Sequence, residues 1–176
     1  DGSFAEGGGD NIAIAALCGL AFLADGNMPG GGGTQGEGPY GRNVDKILDF
    51  ILKNSQESGL LSTNNYGSPM YGHGFATLFL AEAYGMTHRP DIKEKLQNAI
   101  RLLVQTQNRE GGWRYQPAPI DADLSVTICE VMALRAARNA GIKVPKITID
   151  RAIDYVKKSQ DASGGFCYTL NSGSIT

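Results

Sequence analysis

Apolar residues recur every three or four positions in three separate stretches of the chain. This spacing is typical of an amphipathic helix with one buried face. The apolar positions are Val44, Ile47, Leu48, Ile51 and Leu52; Ile92, Leu96, Ile100 and Leu103; and Ile149, Ala152, Ile153 and Val156. The pattern therefore predicts three amphipathic helices, each of which packs on a neighbour through a single face. We call them the outer helices.

Three further helices are predicted in the remaining apolar segments, at about residues 11–25, 74–84 and 123–140. The first of them is apolar on all sides, which indicates a helix enclosed by its neighbours. Segments 29–41 and 63–70 are rich in glycine or polar residues, and predict loops. No strand pattern competes with these helices, so the predicted fold class is all-α. Each unit consists of an inner helix, a loop and an outer helix.

A turn of repeated sequence follows each outer helix. Residues 107–115 read QNREGGWRY and residues 160–168 read QDASGGFCY, so both fit the pattern Q-x-x-x-G-G-aromatic-x-Y. Gln107 and Gln160 are 53 residues apart, and a weaker copy begins at Gln56, 51 residues before Gln107. Residues 1–4 resemble the end of a fourth copy. A repeat of this length indicates stacked helical hairpins.

The repeat also predicts the domain organisation. We expect one repeat domain over residues 1–176, with units at about 1–61, 62–113 and 114–166 and a further unit that begins in 167–176. Residues 174–176 resemble residues 125–127 at the start of the third inner helix, so we expect the chain to be a fragment of a longer array. Because an open array exposes apolar flanks, either further repeats or a second copy of the chain (a homodimer) should cover them.

Composition narrows the classes of function. The net charge is −2, which does not favour a nucleic-acid partner. The longest apolar run, residues 12–24, is too short for a transmembrane segment. Cys18, Cys129 and Cys167 lie far apart in the sequence, which favours buried thiols over a disulfide framework. The compartment is not indicated.

The paired helices and the glutamine-glycine-aromatic turns resemble the QW repeats of squalene-hopene and oxidosqualene cyclases, and the repeats of protein prenyltransferase β subunits. The resemblance covers nearly the whole chain. It implies an α/α toroid, here a partial ring of six helices around a cavity suited to an apolar or isoprenoid ligand. We expect Gln107 or Gln160 to cap its own helix and the backbone of the next turn, and Trp113 or Phe166 to stack over the turn.

A candidate catalytic acid follows from the same resemblance. Asp121-Ala122-Asp123 resembles the first three positions of the D-x-D-D motif of the cyclases, in which a carboxylic acid donates its proton to an alkene or epoxide. The resemblance implies that Asp123, with Asp121 beside it, is the catalytic residue. Leu124 stands where the motif has its last aspartate. The alternative is that Asp123 is the N-cap of the third inner helix.

The prenyltransferases hold zinc with an aspartate, a cysteine two residues later and a distant histidine. In this sequence Asp123 occupies the cysteine position, and Cys129 lies six residues further on, a poor spacing for one set of ligands. No metal and no cofactor are therefore predicted. His73, just before the second inner helix, is interpreted as a polar cap or as a residue that lines the pocket.

The other candidate binding residues lie on the inner helices, because the superfamily has its cavity there. Phe75, Phe79 and Tyr84 supply aromatic rings on the second inner helix, and Glu130 supplies a carboxyl group on the third. With His73 they form the predicted binding set. Two functions remain open: an enzyme that acts on an isoprenoid, and a non-catalytic binding or scaffold module for an apolar small molecule or a peptide.

Overall fold

The structure is a computed structural model, and it describes residues 2–3, 11–30, 34–63 and 67–170. In these ranges the regular secondary structure is helical, as predicted. The helices are α1 (Ile12–Ala24), α2 (Gly41–Lys53), α3 (Pro69–Thr87), α4 (Pro90–Thr106), α5 (Leu124–Asn139) and α6 (Lys146–Ser159). Among the described residues, extended backbone pairs only at isolated bridges. None of the six helices is long and apolar enough to cross a membrane.

The predicted bounds of α1 and α5 agree with the structure to within one residue, but those of α3 are wrong. This helix begins at Pro69, five residues before the predicted start, and His73 lies inside it. Proline suits the first turn of a helix because its missing N–H would have no helical partner there. Gly41 likewise begins α2 and does not belong to the preceding loop. Residues 1, 4 and 174–176, on which the predicted end motifs rest, lie outside the described residues.

The helices form two layers. The first layer consists of α1, α3 and α5, with α3 packed between the other two, and α2, α4 and α6 form a second layer on α1, α3 and α5. The helices of the first layer run parallel. Near the start of α3, Tyr71 contacts Ser125 at the start of α5, and near its end Gly85 packs towards Ala140 at the end of α5.

The core lies around α3, whose side chains are buried on nearly every side. Small residues allow the helices of the first layer to approach closely. Gly19 of α1 lies against the ring of Phe79, and Gly72 lies against the side chain of Ile12. A methyl group at either glycine would overlap its neighbour, so these two positions set the distance between α1 and α3.

The turn after α4 joins two hairpins through Gln107. The Gln107 Nε2 group donates to the carbonyl oxygens of Gly111, at 2.8 Å, and of Thr148 in the first turn of α6, at 2.9 Å. The expectation that Gln107 caps the turn backbone is confirmed, but its second partner is the next outer helix and not its own helix. Trp113 is buried, and its Nε1 donates to the carbonyl oxygen of Leu103 at 2.9 Å.

In three of the turns, a glycine lies against a helix of the second layer. Gly111 has a φ of 103°, and a Cβ at this position would overlap the carbonyl oxygen of Arg151 in α6. The contact recurs at two other turns, where Gly2 meets the Lys46 carbonyl group of α2 and Gly59 meets that of Asn98 in α4. The recurrence shows that successive units are placed by the same backbone contact.

The turn at residues 160–168 differs from the others in its surroundings. Gln160 is exposed, Phe166 is half-buried, and a Cβ at Gly164 would meet open space. Within the described part of the chain, no helix of the second layer lies against this turn. The two closest copies of the motif therefore occupy different environments, which makes one a control for the other.

Replacement of Gln107 by alanine is expected to lower the free energy of unfolding by about 2 kcal/mol, because two buried carbonyl groups lose their donor. The matched variant Gln160→Ala removes an exposed side chain at the same motif position, and is expected to cost less than about 0.5 kcal/mol. Urea denaturation followed by circular dichroism measures both. Equal losses in the two variants would contradict the role assigned to Gln107.

Candidate functional site

The turns at 107–115 and 160–168 lie over the starts of α3 and α5. The Met70 N–H donates to the carbonyl oxygen of Tyr115 at 3.3 Å, and the Leu124 N–H donates to that of Tyr168 at 2.8 Å. Tyr115 and Tyr168 are the last residues of the two motif copies, so one contact is made twice. The starts of two neighbouring helices and two tyrosines thereby form a common surface.

Asp123 lies at this surface as the N-cap of α5. Its Oδ1 atom accepts hydrogen bonds from the Val126 N–H at 2.9 Å and from the Ser125 hydroxyl at 2.6 Å. The side chain is completely buried. The N-cap interpretation is therefore confirmed. The interpretation as a catalytic acid stays a prediction, and its proton would have to reside on Oδ2, which has no hydrogen-bond partner.

Arg114 brings the two predicted acids together. Its Nη1 atom lies 2.5 Å from Asp121 Oδ2, and its Nε atom lies 3.6 Å from Asp123 Oδ2. The longer distance permits an ion pair but not a hydrogen bond. The guanidinium group also lies 5.2 Å from the centre of the Tyr115 ring, in a cation–π arrangement. One cation thus organises both carboxylates and one of the turn tyrosines.

Tyr71, Tyr115, Tyr168 and Ser125 form a connected group that we call the tyrosine cluster. Ser125 donates its proton to Asp123, so the 2.5 Å contact between Tyr71 and Ser125 is a hydrogen bond in which Tyr71 donates. The rings of Tyr71 and Tyr115 are 6.0 Å apart, and the hydroxyl groups of Tyr115 and Tyr168 are in contact. All three rings are half-buried, so part of each faces solvent.

The hydroxyl groups of Tyr71 and Tyr168 keep their protons at physiological pH. The hydrogen bond with Tyr115, together with burial, raises the pKa of Tyr168 to about 12. Burial also raises the pKa of Tyr71 above its ordinary value, against the effect of Ser125. The surface therefore offers neutral hydroxyl groups and aromatic faces beside the ion pair of Arg114 and Asp121. Such a surface can hold a ligand that combines apolar and hydrogen-bonding groups.

His73 is buried beneath the turn that follows α2, away from solvent. Its Nδ1 atom accepts a hydrogen bond from the Leu61 N–H at 3.2 Å. In the next unit the Trp113 N–H donates in the same way to Thr127 Oγ1, at 3.0 Å. His73 and Thr127 are therefore equivalent positions, 54 residues apart. The histidine serves as an acceptor that holds a turn on a helix.

The predicted aromatic binding residues of α3 lie on different sides of the helix. Phe75 is half-buried, whereas Phe79 is completely buried against α1. Tyr84 packs at the far end of the helix, with its ring 5.3 Å from that of His88. Tyr84 lies 13 residues after Tyr71, which is roughly 20 Å along a helix. The structure therefore does not bring these three residues together at the tyrosine cluster.

Glu130 is buried between α5 and α3. Its carboxyl group lies against Gly74, and neither carboxyl oxygen has a hydrogen-bond partner. Burial raises its pKa well above the ordinary value, which favours the neutral form of the carboxyl group. Burial also raises the pKa of the neighbouring Cys129 to about 11. These two residues thus add a buried carboxyl group and a neutral thiol to the helix interface.

The described residues contain no cluster of three or more histidine, cysteine, aspartate or glutamate side chains that could hold a metal ion. A comparison with models of protein families and with curated proteins finds no match for this chain.

Of the residues at this site, the sequence predicts Asp121 and Asp123 but not Tyr71, Arg114 or the two turn tyrosines. A signal for the tyrosines was present, because both motif copies end in tyrosine. Arg114 carried no comparable signal, since the second copy has Cys167 at the same position. Only the folded chain shows which residues of successive turns meet.

The stability of the protein is expected to fall in acid because of His73. Complete burial lowers its pKa to about 4, while a backbone contact at Ala99 acts in the opposite direction. Between this value and the ordinary 6.5 the unfolded chain binds more protons. The contribution of neutral His73 to the free energy of unfolding is therefore complete above pH 6.5. It is lost as the pH falls towards 4, and amounts to about 3 kcal/mol in total.

The control is His73→Asn, which keeps an acceptor near the position of Nδ1 but does not titrate in this range. Urea denaturation across the range gives both free energies of unfolding. A difference between wild type and variant that stays constant with pH would contradict the assigned state of His73.

Glu130 is expected to have the opposite pH dependence. Above about pH 4.5 the unfolded chain releases this proton while the folded chain retains it. The contribution of Glu130 to the free energy of unfolding is thus present below that pH, and it is lost as the pH rises towards the pKa of the group in the folded chain. Glu130→Gln should exceed wild type in stability by a margin that grows by about 1.4 kcal/mol per pH unit in this window. Denaturation at several pH values measures the margin, and one that does not grow would refute a neutral Glu130.

Proposed function

We propose that the chain is part of an α/α toroid similar to those of the squalene cyclases and prenyltransferases. The parallel first layer, the second layer on one side of it and the recurring turn contacts support this architecture. In the proposal, the first layer faces a central cavity. The tyrosine cluster then lies at one mouth of that cavity, where α3 and α5 begin.

The function we propose is non-catalytic binding of a ligand with an apolar body and a polar head, of which isoprenoid alcohols are one class. The observation that carries the proposal is the hydrogen-bonded series from Tyr71 through Ser125 to Asp123. This series fixes a half-exposed aromatic ring beside an exposed serine, so that apolar and polar contacts are available together. The pair of Arg114 and Asp121 adds charged partners at the edge.

Binding is favoured over acid catalysis by the hydrogen bonds of Asp123. Two donors, the Val126 N–H and the Ser125 hydroxyl, use its Oδ1 atom as an acceptor, and the Arg114 Nε–H group lies beside Oδ2. A proton donor to an alkene needs a neutral or anionic neighbourhood around that oxygen. The acid alternative retains one supporting observation, which is the complete burial of Asp123.

Tyr71→Ala is expected to weaken the binding of geranylgeraniol at least about tenfold, which corresponds to about 1.4 kcal/mol. The loss arises from the aromatic face and from the hydrogen bond to Ser125. Isothermal titration calorimetry measures the dissociation constant. Tyr40→Ala, which removes an exposed ring elsewhere on the chain, is the matched control and should bind as wild type does.

The binding proposal fails if wild type does not bind the alcohol, or if Tyr71→Ala binds it equally well. The acid alternative is separated by incubation with squalene. Asn is as good an N-cap as Asp, so Asp123→Asn keeps the fold but has no carboxyl proton. Turnover by wild type that is lost in Asp123→Asn would establish the acid alternative in place of binding.

A further inference from the structure

The two ends of the first layer each carry an exposed apolar face. On α1, Ile14 and Leu17 are 47% and 46% exposed, and on α5, Ile128 and Met132 are 39% and 47% exposed. α3, which lies between these helices, has no comparable face apart from Met86 near its end. The exposed apolar faces therefore arise because α1 and α5 each have a first-layer neighbour on one side alone in this structure, whereas α3 has one on both sides.

The exposed face of α5 corresponds to the face through which α3 packs on α5. His73 and Thr127 are equivalent, so positions 54 residues apart correspond. Gly74, which lies against Cys129 and Glu130, then corresponds to Ile128. The buried residue Leu78 corresponds in the same way to Met132. Ile128 and Met132 thus occupy the positions that receive the next parallel helix in the preceding unit.

The exposed face of α1 is the reciprocal surface. α1 packs on α3 through Ile12 and Gly19, while Ile14, Leu17 and Ala21 lie on another side and are exposed. Their spacing of three and four residues forms one continuous stripe along the helix. This stripe carries no charged side chain. It has the shape and polarity of a helix face that packs on an apolar neighbour.

We propose that the face of α1 in a second copy of this chain packs on the face of α5, head to tail. The arrangement repeats the parallel packing of α1 on α3 and of α3 on α5. It does not depend on the proposed ligand or on ring closure. Because each copy contributes two different faces, the interface is heterologous, and association produces a closed ring or an open series.

Charge complementarity favours a second copy as the occupant. A groove of about 630 Å³ lies between α5 and α6, and Arg135 and Arg138 line it together with Met132 and Ile153. In parallel packing, the end of α1 lies beside the end of α5. There α1 is followed by the exposed C-cap residue Asp25, which then lies next to the two arginines. An apolar stripe that ends in a carboxylate matches an apolar groove that ends in guanidinium groups.

The second layer imposes one local rearrangement. In the repeated packing, Gly164 of one copy would contact α2 of the next, as Gly111 contacts Arg151 in α6. The equivalent carbonyl group, that of Lys46, is already in contact with Gly2 of its own chain. Gly2 and the incoming Gly164 therefore compete for one site, and association displaces residues 2–3.

The test uses the 176-residue chain and two charge insertions, Leu17→Asp on the α1 face and Met132→Asp on the α5 face. Sedimentation equilibrium from micromolar to millimolar concentration is expected to show association of wild type and monomers for each variant alone. An equimolar mixture of the two variants is expected to form a 1:1 dimer, because each variant retains the face that the other has lost. Ile120→Asp, in an exposed loop, is the matched control and should associate as wild type does.

The mixture distinguishes a lost interface from a lost fold, since misfolded variants cannot restore each other. Circular dichroism of each variant gives the same information independently. Wild type that remains monomeric at millimolar concentration would overturn the proposal, and so would a mixture of the two variants that remains monomeric. Two variants that associate as wild type does would place the interface elsewhere and also overturn it.

Discussion

The rest of the structure depends on one kind of hydrogen bond, from a turn N–H to a buried side chain of the next first-layer helix. Leu61 makes this bond to His73, and Trp113 makes it to Thr127. A buried N–H without a partner costs too much to persist, so the bond fixes where the turn lies on the helix. Once the turn is placed, its glycine reaches the following second-layer helix, and the hairpins stack in a fixed register.

The six helices could be predicted because their apolar residues repeat with helical spacing, which depends only on neighbours in the sequence. The start of α3 could not. Pro69 follows a polar, turn-rich segment, and Gly72 and Gly74 disfavour a helix when judged by propensity alone. Both glycines lie where α1 or α5 approaches closely, so tertiary packing offsets their low helix propensity. These packing partners are more than 50 residues away in the sequence, so the residues around Pro69 do not indicate them.

The site was predictable only in part for the same reason. Asp121 and Asp123 are two residues apart, and their pattern is visible in any short window of the sequence. Tyr71 and Tyr115 meet only because the turn that contains Tyr115 lies over the start of α3. Gln107 shows the same limit of sequence-based prediction for a single side chain. Its position at a helix end suggests a cap, but its second partner belongs to a helix 41 residues away.

The enclosed position of α3 has a consequence for how the molecule opens. In a stack of hairpins each unit is held mainly by its neighbours, so local unfolding costs least at the ends. The amides of α3, covered by α1, α4 and α5, exchange with solvent only when most of the domain has come apart. Those of α6, which packs mainly on α5, require a smaller opening. Proteolytic cleavage is therefore expected to reach α3 only after the helices that cover it.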